Sequence, residues 1–104
     1  MGNQHTQPLA AQLGRVLNDV IRLSQTRGYV LDPKVVKLVH MINEDVSKPN
    51  LSLSELEEEL TQLARWVLHT KLVTGGTSSV AKTSRIRSIV HAIDDTRNRV
   101  IELQ

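Results

Sequence analysis

The side chains best suited to chemistry in this sequence are cations. No acid occurs between Glu59 and Asp94, yet Arg65, Lys71, Lys82, Arg85 and Arg87 all fall there, with His69 and His91. That window carries a local excess of five positive charges on a chain whose formal net charge is only +2. Such a concentration suits phosphate, which Lys and Arg meet through charge-assisted hydrogen bonds and which glycine-rich turns meet through backbone N–H groups. Gly75-Gly76, followed by Thr77-Ser78-Ser79, offers a turn of that kind just ahead of Lys82. Lys71, Lys82, Arg85 and Arg87 are therefore the candidate nucleic-acid-binding residues. Tyr29 and Trp66 are the sole aromatics, so base stacking has little to work with. Contacts would run to the phosphate backbone and would be salt-sensitive and weakly sequence-specific. The competing account of the same cations is a solvated face with no ligand.

Enzyme chemistry finds less support in the residue types. No Ser-His-Asp set, phosphate loop or dinucleotide fingerprint occurs, and Gly75-Gly76 lacks the GxxxxGK[ST] spacing. His40 and Glu44 share a helical face, but no HExxH or paired ExxH pattern joins them to His69 or His91. The chain has no Cys, which excludes a thiolate site and a disulfide framework. No metal, no cofactor, no small-molecule substrate and no catalytic residue is expected. Arg85 and His91 do satisfy an R-x5-H spacing. In this they resemble the HEPN family of helical ribonucleases, whose signature pairs an Arg and a His a few residues apart. The resemblance implies RNA cleavage by those two side chains. That family usually has a polar residue after the Arg, whereas Ile86 stands here, at a core position. The expectation is that the protein is not an enzyme.

All of these side chains must be carried on helices. Leu53, Leu56, Leu60, Leu63 and Val67 recur at spacings of three and four, the seam of one helical face. Ser52 with Glu55 writes a capping box, and Leu51 with Leu56 a hydrophobic staple. Glu55, Glu57, Glu58 and Glu59 at the start, with Arg65, His69 and Lys71 at the end, suit the macrodipole. Leu9, Leu13, Val16, Val20 and Leu23 carry the same rhythm earlier, weakened at Gly14 unless a neighbouring backbone packs there. Gly28 supplies the C′ position, and Asp32-Pro33 opens a second helix that buries Val35, Leu38, Val39, Ile42 and Val46. Ile86, Ile89, Ile93, Thr96, Val100 and Leu103 mark the last one. The expectation is an all-α fold, a small four-helix bundle or a pair of helical hairpins, with helices at about 8–27, 33–46, 52–73 and 83–102 and no strand. Residues 1–6 are expected to be disordered, Gly75-Gly76 to end the third helix, and TSSVAKTS to form a loop. On that layout Lys82, Arg85 and Arg87 crowd the N-terminal turn of the fourth helix, where the macrodipole repels cations. A local rule broken in this way points to a bound anion.

A chain of 104 residues with 39% apolar and 23% charged content reads as one domain, 1–104, of ordinary globular composition. No apolar run reaches membrane-spanning length and no hydrophobic signal core opens the chain, so a cytoplasmic location is expected. Size, helicity and one basic face resemble the small subunits of CRISPR effector complexes, which touch nucleic-acid backbone without catalysis. From Glu55 onward, the helix, the Thr74-Gly75-Gly76 turn and Arg85-Ile86-Arg87 also resemble the helical hairpin of a ribosomal protein family. The resemblances imply a non-enzymatic helical subunit or accessory protein of a nucleoprotein assembly. The alternative is a homo-oligomeric helical protein–protein regulator or adaptor without nucleic-acid binding. It would dock through the third-helix seam, with Leu63 and Val67 in the interface and Trp66 as anchor. A protein partner or self-association is expected on either account, and no membrane.

Overall fold

The computed structural model describes residues 6–73 and 79–104. Helices α1 (Thr6–Gln25), α2 (Pro33–Val46), α3 (Leu53–Leu68) and α4 (Ser79–Leu103) dominate it, and a two-residue ribbon joins β1 (Tyr29–Val30) to β2 (Lys71–Leu72). The starts of α2 and α3 follow their sequence signals. Asp32 is extended and accepts the Lys34 N–H on Oδ1 at 2.9 Å, and Pro33 follows as the first helical residue. Ser52 Oγ accepts the Glu55 N–H at 3.3 Å and opens α3. The short link 47–52 makes α2 and α3 antiparallel neighbours, α4 lies along α3, and α1 packs against α4 and α2.

The seams read from the sequence meet in one core. Leu13, Val16, Val20 and Leu23 of α1, Val35, Val39 and Ile42 of α2, Leu56, Leu60, Leu63 and Val67 of α3, and Ile86, Ile89, Ile93 and Val100 of α4 are all buried together. Thr96 is completely buried among them, and its Oγ1 donates to the Ala92 carbonyl one turn back at 2.8 Å. Leu38, Val46 and Leu53 are only half-buried, and Leu103 is exposed, so those four expected core positions belong to the margins.

Two boundaries and the strand expectation are corrected. The third helix stops at Leu68 instead of running to 73, with His69 as its C-cap. Lys71 and Leu72 leave helical geometry to pair antiparallel with Val30 and Tyr29, and the Val73 N–H donates to the Gly28 carbonyl at 2.9 Å. A ribbon this short has no readable period, and its partner lies far off in sequence. The fourth helix begins at Ser79, not near 83, so part of the expected TSSVAKTS loop is helical. The disorder expected at the N-terminus lies outside the described residues, save that Thr6 already belongs to α1, and the expected Gly75-Gly76 stop is corrected, since the third helix has already ended at Leu68.

Gly28 anchors the junction of these corrections. Its φ of 96° lies in the left-handed region, and a Cβ there would sit 2.8 Å from Lys82 Nζ. Among the described residues no helix is long and apolar enough to cross a membrane.

Candidate functional site

The early start of α4 changes what its cations mean. The field of a helix terminus fades within the first turn. Of the expected patch only Lys82 stands that close to the start, and it does not face solvent. It is 8% exposed, its stem crosses Gly28, and Nζ donates to the Val73 carbonyl at 3.1 Å. Lys82 therefore works as an internal strut from α4 to the ribbon. The conflict with the macrodipole dissolves for Arg85 and Arg87, which lie in later turns.

Those two arginines are exposed on opposite flanks of buried Ile86, about 200° apart around the axis at 100° per residue. The outermost stripe of α4 is Val80, Ser84, Arg87 and His91, spaced by four, three and four, and all exposed. Thr83, Ser84 and Arg87 also edge a shallow notch of about 320 Å³. Among the described residues the one ion pair is Lys48 with Asp45 at 3.2 Å, so no carboxylate there neutralises Arg85 or Arg87. Arg85 and His91 are both exposed and lie six residues apart on α4, about 120° apart round its axis. Lys71 is exposed on β2 and belongs to another site.

That other site is a cleft of about 590 Å³ where the start of α2 meets the end of α3. Val30, Leu31, Pro33 and Trp66 form its apolar wall, and Arg65, His69 and Lys71 edge it. Lys34 Nζ lies 4.2 Å above the Trp66 ring centroid, a cation–π contact, and the His69 ring tilts towards the indole at 6.1 Å. Of the expected interface residues, only Trp66 can reach a partner. Leu63 and Val67 are fully buried in the protein's own core, which corrects the docking seam proposed from the sequence. Sequence reasoning missed Lys34 and the apolar wall, since the wall is assembled by the ribbon.

At the opposite end of the α2–α3 pair, Leu38 and Met41 floor a second hollow of about 340 Å³ rimmed by Asp45, Glu55, Glu58 and Glu59. Burial, with the Asp45 carboxyl beside it, pushes the Glu59 carboxyl up to about 7. While both groups are ionised neither can donate, and Glu59 Oε1 is shielded from solvent without a partner. A proton on Glu59 gives it a donor for Asp45. That hydrogen bond, followed by Lys48, holds Asp45 below the usual carboxylate range. Among the described residues no group of three or more His, Asp or Glu converges as a metal site.

Compared with known proteins, the chain matches no family model, no curated protein sequence and no solved structure.

Proposed function

We propose that this protein is a non-enzymatic helical accessory subunit of a nucleoprotein assembly, touching nucleic-acid backbone through the outer face of α4. The observation that carries the reading is the exposed stretch of α4 from Thr83 to His91. Its outer face presents Ser84, Arg87, Ser88 and His91, with Arg85 on the flank about 200° round from Arg87; no acid lies in the stretch, and no described carboxylate pairs with either arginine. Arginine forks and hydroxyls are the groups that hold phosphate oxygens and set register without reading bases. Lys82 is excluded from the contact set because its ammonium is engaged inside, and Lys71 because it edges the cleft beside Trp66. A net charge of only +2 limits the contact to a few phosphates, in keeping with a subunit that adds to a larger complex.

The test is fluorescence anisotropy with labelled single-stranded and duplex oligonucleotides at about 50 mM and about 300 mM salt. Binding should be present at low salt, fall steeply at high salt, and weaken roughly tenfold in the Arg85→Glu, Arg87→Glu double variant. No binding at low salt overturns the reading and leaves a helical protein–protein adaptor.

A further inference from the structure

The two hollows lie in line along the seam between α2 and α3. Glu55, Glu59, Gln62, Trp66 and His69 are spaced by four, three, four and three along α3, so they form a single stripe. Lys34, Leu38, Met41 and Asp45 do the same along antiparallel α2. The groove between them runs about 20 Å at 1.5 Å per residue. Its charge is ordered along that length. Asp45, Glu55, Glu58 and Glu59 rim one end, Leu38 and Met41 floor the middle, and Lys34, Arg65, His69 and Lys71 gather about Trp66 at the other. Asp32, the acid at the basic end, already accepts the Lys34 N–H as a helix cap. Met41 is 50% exposed, although its neighbour Ile42 is fully buried.

We infer that this groove is the interface of a homodimer, in which a second copy lies across it in the reversed direction.

A two-fold axis in the plane of the groove and perpendicular to the helices reverses the long direction while laying α2 over α2 and α3 over α3. The acid end of each copy then meets the basic end of the other, as an isologous contact requires. Positions symmetric about Gln62 pair Glu58 and Glu59 with the partner's Trp66 and Arg65. Positions symmetric about the Leu38–Met41 midpoint set Lys34 opposite the partner's Asp45, which already pairs with Lys48 in its own copy. Leu38 packs on the partner's Met41, so the apolar floor covers itself. A foreign acidic or basic segment would satisfy one end of the groove and offend the other, whereas a second copy satisfies both at once. A face two helices wide and about 20 Å long falls at the small end of specific interfaces, so the dimer is reversible, with dissociation on the order of micromolar. The proposal is independent of the α4 surface.

Sedimentation velocity on the full chain from about 1 to 500 µM, at low and at about 1 M salt, reads the equilibrium directly. The expected result is a concentration-dependent dimer that weakens in high salt. Glu58→Lys and Arg65→Glu, both at exposed positions that leave the core intact, should each be monomeric alone. Mixed together they should form a heterodimer, because one acid–base end then keeps its native charges and the other is restored with reversed sign. Circular dichroism checks that each variant keeps its helices. A chain that stays monomeric throughout overturns the inference and assigns the groove to another occupant. So does a dimer indifferent to both reversals, or a mixture that fails to associate.

Discussion

Two glycines separate what a residue type suggests from what its surroundings demand. Gly14 lies exposed within α1, and a Cβ there would meet nothing within 4 Å. It weakens the helix and serves no packing, so Gly14→Ala should raise stability by about 0.5–1 kcal/mol in urea unfolding. Gly28→Ala should do the reverse, by about 2 kcal/mol, because a side chain would be forced into the left-handed region and against Lys82. The sequence distinguishes them only in part: Gly28 stands where a helix must end, while the emptiness around Gly14 is a tertiary fact. Glu59 is a second case. As part of an acidic run it suits the start of a helix, and nothing in the run reveals that burial and Asp45 raise its carboxyl to about 7. The folded chain binds that proton more tightly than the unfolded one, whose ordinary value is 4.5. The resulting penalty is absent below 4.5, grows between the two values and is complete above about 7. Glu59→Gln should therefore stabilise the fold by about 1 kcal/mol at pH 8, after allowance for solvent screening, and leave it unchanged at pH 4.

At the scale of elements, α2 starts and ends where the sequence places it, because Asp32-Pro33 and Ser47 act locally. The seam of α4 was equally legible: its rhythm from Ile86 to Val100 is buried position by position. The start of α4 was not. Ser79 to Ser84 is rich in weak helix formers, and a reading by propensity treats it as loop. Tertiary anchoring overrides that preference through the Lys82 hydrogen bond to Val73. The misplaced boundary had a functional consequence, since it alone produced the apparent clash between cations and the macrodipole. Lys82→Met keeps the aliphatic stem and removes the donor. It should cost about 1 kcal/mol and speed amide exchange at Val73 and in the ribbon, with the exchange of Ile42 and Leu60 in the core unchanged. A solvated lysine would show neither effect.

The whole molecule spans 49 × 25 × 18 Å, an elongated bundle with long flanks. Its candidate surfaces lie on different flanks. The outer stripe of α4 is polar and basic, and the α2–α3 groove is charge-ordered and apolar at its centre. The groove was hidden from one-helix-at-a-time reading because its pattern is split between two helices and becomes a shape only when they pair. If copies join through it, apparent stability must rise with protein concentration. The ribbon adds a further constraint. It bridges positions about 40 residues apart with only two pairs, and closing such a loop costs roughly 3 kcal/mol of chain entropy. So small a ladder cannot offset that loss unaided, and the ribbon depends on the helices packed beside it. It is the seal of the molecule and also its weakest fastening. The cavity wall beside Trp66 and the carbonyl that holds Lys82 both hang from this latch, so one local opening event loosens the far ends of three helices together.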